Sequence, residues 1–181
     1  MMASSAPLPV ALSAAACQER AQGPAPALRR RMASFIYEGV LLFGVLMVVG
    51  MVYGISVNQR HAMHDRAGLM AVVFLTLAVY FIWFWTHGGQ TLAMKTWRLR
   101  LVSEQGTAIT LPQSLRRYLA SWLWFMPAFY GAWMMGWHQS KLLYGVTGGW
   151  MLFYIALTWL LPQGQFLHDI ICRTRVIDTR A

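Results

Sequence analysis

The sequence predicts an all-α membrane protein with four transmembrane helices, both termini cytoplasmic, and a small cytoplasmic cap of short β-strands and an interfacial helix. Three observations predict it. Only 12% of the 181 residues are charged and 57% are hydrophobic, with a mean hydropathy of +0.45. A soluble domain carries about 25% charge, so lipid is the expected solvent. Four apolar runs, at residues 32–57, 69–86, 118–137 and 142–161, are each close to the ~20 residues that cross a bilayer as a helix. The basic residues between those runs fall almost entirely on one side.

That side holds Arg20, Arg29, Arg30 and Arg31 before the first run, Lys95, Arg98, Arg100, Arg116 and Arg117 between the second and third, and Arg173, Arg175 and Arg180 after the fourth. The other side has Arg60, Arg66 and Lys141. The positive-inside bias therefore places both ends in the cytoplasm. The net charge of +9 raises nucleic acid as a partner. No RNA- or DNA-binding motif accompanies it, and the charge lies beside spans, where it meets the anionic headgroups of the bilayer.

Residues 1–28, rich in Ala, Pro and Ser, lack apolar periodicity and read as a disordered, uncleaved cytosolic tail. No basic residue precedes the short run at 11–16, which speaks against a signal peptide. Cys17 and Cys172 have no partner at metal-ligand spacing and read as free thiols. The first span, 32–57, follows three arginines and contains one acid, Glu38. Its Gly50 and Gly54 form a pair that lets another helix approach, unless they are ordinary span glycines.

The second span ends in Tyr80, Phe81, Trp83, Phe84 and Trp85, the composition of an interfacial belt. His87-Gly88-Gly89 stops it. Residues 97–102 alternate with period two and predict a short strand. Gly106 marks a turn, after which 107–110 is expected to return as a second strand. Thr110, Pro112 and Gln113 then start a helix with a capping-box pattern. The third span carries Pro127 midway, a kink site. The fourth carries Gly145, Gly148 and Gly149 and ends at Pro162 and Gly164, and the tail has a β-like piece at 174–177. No internal repeat with a period of 20–50 residues is visible.

Chemistry is sparse. Glu38 lies seven residues after Arg31, ~10 Å along a helix at 1.5 Å per residue. An acid at that depth faces the bundle interior, pairs with a base or takes a proton. It reads either as a proton- or cation-binding carboxylate or as a structural ion pair with Arg116 or Arg117. His168-Asp169, at the exit of the fourth span, reads as a pair titrating near neutral pH or as a clamp holding the tail to the strand around Arg98 and Arg100. His61, His64 and Asp65, with His138 on the same outer side, are a weak set of transition-metal ligands, since no cysteine completes a site. The twelve methionines read as span filler. No nucleophile–base set, phosphate loop or cofactor motif is legible, so no enzyme and no cofactor is expected.

Three pieces, in order, resemble a known family. They are Arg30-Arg31-Met32-Ala33 leading into a span with an early acid, Gly89-Gln90-Thr91-Leu92-Ala93-Met94-Lys95 followed by Leu99-Arg100-Leu101-Val102, and Leu167-His168-Asp169 through Thr174-Arg175-Val176. Together they resemble the RDD family of bacterial integral membrane proteins, named for one arginine and two aspartates. With Arg30 and Ala33 in register, the first aspartate position falls on Tyr37. With Arg31 in register, it falls on Glu38, and Ser34 replaces the alanine. Ala93 stands where glycine is usual, and Asp169 matches directly. The resemblance implies a multi-pass protein of the bacterial inner membrane, with transport the usual role and cation–proton exchange proposed for some members. The opposing expectation is an accessory protein that scaffolds partner membrane proteins through its glycine faces and cap. Four spans enclose little lumen, so a transporter of this size is expected to form a homo-oligomer or join a partner.

Overall fold

The computed structural model describes residues 12–57, 66–137 and 140–180. Eight α-helices and two strands run in the order α1 (Ala14–Gln22), α2 (Leu28–Ser56), α3 (Arg66–Thr86), α4 (Leu92–Thr96), β1 (Leu99–Ser103), α5 (Leu111–Ser121), α6 (Met126–Met134), α7 (Ser140–Ala156), α8 (Leu167–Ile171) and β2 (Thr174–Asp178). Among the described residues, three helical segments are long and apolar enough to cross a membrane: Leu28–Ser56, Arg66–Thr86 and Lys141–Trp159. They expose large apolar side chains, such as Ile36, Val40 and Phe43 on α2 and Leu75 and Val79 on α3. Contiguous apolar surface of that kind fits acyl chains, not water.

The third expected span is not one helix. α5 ends at Ser121, a 3₁₀ turn covers Trp122–Trp124, and α6 begins at Met126 with Pro127 in its first turn. Proline has no N–H to give to the preceding turn and its ring crowds that turn's carbonyl, so the helical ladder restarts there. α5 packs beside the sheet through Tyr118. It buries Ser114, Arg117 and Tyr118 and exposes Leu111, Leu115 and Leu119 along its opposite side. Gln113 Oε1 reaches back to the Thr110 N–H (3.3 Å), as the capping pattern requires.

The cap is an antiparallel pair, β1 with β2, in which Leu101 faces Val176. The second strand therefore comes from the C-terminal segment; residues 107–110, expected to return beside β1, are not a strand. Two isolated strands are marginal in water, and here both faces are covered. Leu99, Leu101 and Val176 pack with Trp85, Ile109 and Tyr118, while Val102 and Ile177 pack with Cys17 and Ala21. The second set explains α1. Residues 14–22, expected as part of a disordered tail, form a helix because the outer face of the sheet needs a lid. Ser13 caps it by accepting from the Ala16 N–H. Gly106, at φ +77, is the point of contact: a Cβ there would lie 2.4 Å from Gln18 Cα. Cys17, on the lid, and Cys172 are buried and form no disulfide.

The two halves of the cap repeat one local structure. Gln90 and Gln165 each precede a five-residue helix, α4 and α8. Each helix leads into an arginine with φ +52, Arg98 or Arg173, and then into a strand. The repeat is longer than the periods searched in the sequence, and its matching residues are few.

Candidate functional site

α2 buries four residues, Arg31, Ser34, Glu38 and Leu42. Their spacing of three, four and four puts them on one face. This decides the register left open by the sequence, because Tyr37 is 41% exposed while Glu38 is 7% exposed. The arginine, serine and glutamate of the Arg31 register point inward together.

Glu38 meets two hydroxyls. Tyr80 Oη donates to Oε1 at 2.5 Å, and Thr91 Oγ1 donates to Oε2. Thr91 is also the N-cap of α4, its oxygen accepting from the Met94 N–H at 3.2 Å, so the cap bond aims the hydroxyl proton at the carboxylate. The turn before it needs Gly89, at φ +70, where a Cβ would lie 2.3 Å from the Leu101 carbonyl oxygen. The Leu101 N–H donates to the Gly89 carbonyl at 2.7 Å, tying the turn to β1. Tyr80 is held by Phe84 and Phe81, with ring centroids 4.8 and 5.3 Å away.

No arginine, lysine or histidine among the described residues forms an ion pair with Glu38. The expected pairing with Arg116 or Arg117 is not made. Arg116 is exposed, and Arg117 is turned to the other buried acid.

That acid is Asp169. Arg117 Nη2 lies 2.6 Å from Asp169 Oδ1, and its guanidinium stacks 4.5 Å over the Trp85 ring. Asp169 is fully buried, and Thr174 Oγ1 donates to its backbone carbonyl at 3.3 Å. His168 is beside it, bonded to Tyr154 Oη through Nδ1 (2.9 Å) and to Arg117 Nη2 through Nε2 (3.4 Å). An arginine N–H can only donate, so Nε2 accepts and Nδ1 carries the proton. Burial holds the imidazole down to about 4, against the pull of Asp169 and with the added push of Arg117 and Arg31. His168 is therefore neutral at physiological pH and does not titrate there. The clamp joins α8 to α5, not to the strand around Arg98 and Arg100.

The two N-terminal arginines divide the work. Arg30 Nη1 pairs with Asp178 and Nη2 donates to the Trp97 carbonyl, closing α2 onto both strands. Burial pushes the Asp178 carboxyl up, but hydrogen bonds from Arg180 and Arg30 outweigh it and hold it at about 2. Arg31 is only 7% exposed. It donates from Nη2 to the Gly164 carbonyl at 2.8 Å and lies 4.5 Å over the Phe166 ring.

Arg31, Glu38, Arg117 and His168 all line one cavity of about 380 Å³ between α2, α3, the α5–α6 junction and the cap. The remaining lining is largely apolar and aromatic. Tyr80 and Thr91 were not legible as site residues: Tyr80 sits in a run that reads as an aromatic belt, and Thr91 reads as part of a polar connection. A threonine directly before Leu92 at a helix start was the available signal for Thr91. His61, His64, Asp65 and His138 lie outside the described residues. Among the described residues, no group of three or more His, Cys, Asp or Glu side chains gathers as a metal site.

A sequence model described as the RDD family matches residues 24–173, most of the chain and all three of the pieces that carried the resemblance except the end of the last. No curated protein and no solved structure matches the chain.

Proposed function

The chain belongs to the RDD family, and from that premise we propose that it is a transport component whose Glu38 exchanges a proton for a monovalent cation. The observation that carries this reading is the setting of Glu38: a buried intramembrane carboxylate bonded by two neutral hydroxyls, beside a cavity, with no cationic partner among the described residues. A structural ion pair needs a cation, and Glu38 has none among the described residues. Hydroxyls both donate and accept. They donate to the bare carboxylate, and on rotation they turn oxygen lone pairs toward a bound cation. One proton leaves as one cation arrives, so the charge buried at the site is conserved.

In this reading the stretch 118–137 crosses the bilayer as a broken segment, giving four spans. The cap, which gathers α1, β1 and β2 at one end, lies in the cytoplasm of a bacterial inner membrane, as the twelve-to-three basic bias requires. The test is flux through purified protein in proteoliposomes. Wild type drives cation uptake coupled to a pH gradient, and Glu38→Gln loses it while keeping its fold. Unchanged flux in Glu38→Gln removes this role.

One observation favours a second reading, a scaffold for partner membrane proteins. Among the described residues a Cβ added at Gly50, Gly145, Gly148 or Gly149 would meet nothing within 4 Å, so these glycines pack against none of them. Scaffolding predicts no flux in either protein and a partner crosslinked to α7 in native membrane.

A further inference from the structure

We propose that the cavity beside Arg31 binds an anionic amphiphile, with its carboxylate or phosphate head on the Arg31 guanidinium and its chain among the aromatic residues of the α5–α6 junction. Three observations converge there. Arg31 is 7% exposed, and its Nε and Nη1 are buried without a hydrogen-bond partner. Among the described residues its guanidinium has one hydrogen bond, from Nη2 to the Gly164 carbonyl, and no acid forms an ion pair with it. Guanidinium stays charged at any relevant pH, and a buried charge with two idle donors is costly. An anionic oxygen on Nε or Nη1 offsets that cost with a charge-assisted hydrogen bond.

The cavity is built for the rest of such a ligand. Its volume of about 380 Å³ falls in the range of ligand sites, about 300–1,000 Å³. Phe35, Trp122, Trp124 and Phe125 also line it, and Phe35 stacks on Trp124 at 5.1 Å. Phe35 and Ile36 line it and are also exposed, at 42% and 66%, on the outer side of α2. The cavity therefore opens sideways, where acyl chains lie. Arg117, at the same site, is neutralised by Asp169, and only its Nε is both fully buried and without a hydrogen bond among the described residues. Glu38 lies two turns further along α2, ~10 Å from Arg31 along the axis, so it does not compete for the head. The inference stands whether or not Glu38 moves ions.

The experiment is native mass spectrometry of the full chain in non-ionic detergent, with dioleoylphosphatidylglycerol, dioleoylphosphatidylcholine and oleate as probes. Wild type is expected to retain one equivalent of an anionic probe at least tenfold better than the zwitterionic lipid. Retention of phosphatidylglycerol alone identifies a bilayer lipid, and retention of oleate alone identifies a free carboxylate amphiphile; either supports the proposal. Arg31→Gln is expected to lose retention at least tenfold, Arg31→Lys to keep part of it, and Arg116→Gln, at an exposed arginine off the cavity, to match wild type. Should Arg31→Gln fail to fold, the wild-type comparison of each anionic probe with phosphatidylcholine decides alone. Retention of neither anionic probe above phosphatidylcholine, or undiminished retention by folded Arg31→Gln, overturns it.

Discussion

The two halves of the cap have the same local build and opposite electrostatics. In the first half, α4 offers a hydroxyl, Thr91, to a carboxylate on α2, Glu38. In the second, α8 offers a carboxylate, Asp169, to a guanidinium on α5, Arg117. Both acids are buried, yet among the described residues only Asp169 has a cation. One short helix is fastened to α5 through charge. The other leaves its charge held by neutral groups. Burial alone therefore does not tell a fastening acid from an exchangeable one; the partner does.

The comparison breaks most visibly at the charged half. Asp169→Ala leaves Arg117 buried and unpaired, and should cost about 3–5 kcal/mol of stability, read as a lowered unfolding midpoint in detergent. If the pair only fastens, Asp169→Leu combined with Arg117→Met should recover most of that loss, since a well-packed apolar pair replaces a buried ion pair at little cost.

Acidification should also strike the second half. The unfolded His168 imidazole titrates near 6.5, whereas in the fold it is held down to about 4. As pH falls through that window, the unfolded chain takes a proton that the folded chain refuses. Stability should drop by up to about 3 kcal/mol between those values and level off below. Unfolding midpoints across pH check this, and His168→Gln should flatten that part of the curve. Asp178, held at about 2, adds its own loss only below the ordinary carboxylate range.

The neutral half should respond more gently. Thr91→Val removes both the α4 cap and one donor to Glu38, for about 1–2 kcal/mol. Thr91→Ser keeps the hydroxyl and should restore stability and flux together. Smallest in stability is Glu38→Gln, expected within about 1 kcal/mol because the amide still accepts from Tyr80. The same change should abolish pH-coupled flux. A large stability loss with flux retained would make Glu38 a fastening residue like Asp169.

Much of this architecture was legible before folding. The spans around 32–57 and 69–86, the strands near 97–102 and 174–177, and the inward acid at 38 follow from hydropathy and period-two alternation, which are local. The misses are tertiary. Residues 14–22 become a helix because a two-stranded sheet needs a cover, and nothing local announces that. The break after Ser121 needs both Pro127 and an amphipathic α5 whose Arg117 is drawn inward by an acid fifty residues later. Tyr80 and Thr91 gain their role only when α3 and α4 meet α2, since a tyrosine in a belt and a threonine at a cap are ordinary by themselves.

The most direct test of the distinction between the two acids is chemical. A hydrophobic carbodiimide reacts with carboxyl groups that take up a proton in an apolar setting, and mass spectrometry locates the adduct. The account predicts modification at Glu38, slowed by the exchanged cation, and none at Asp169. An unmodified Glu38, or equal modification of both acids, would contradict it.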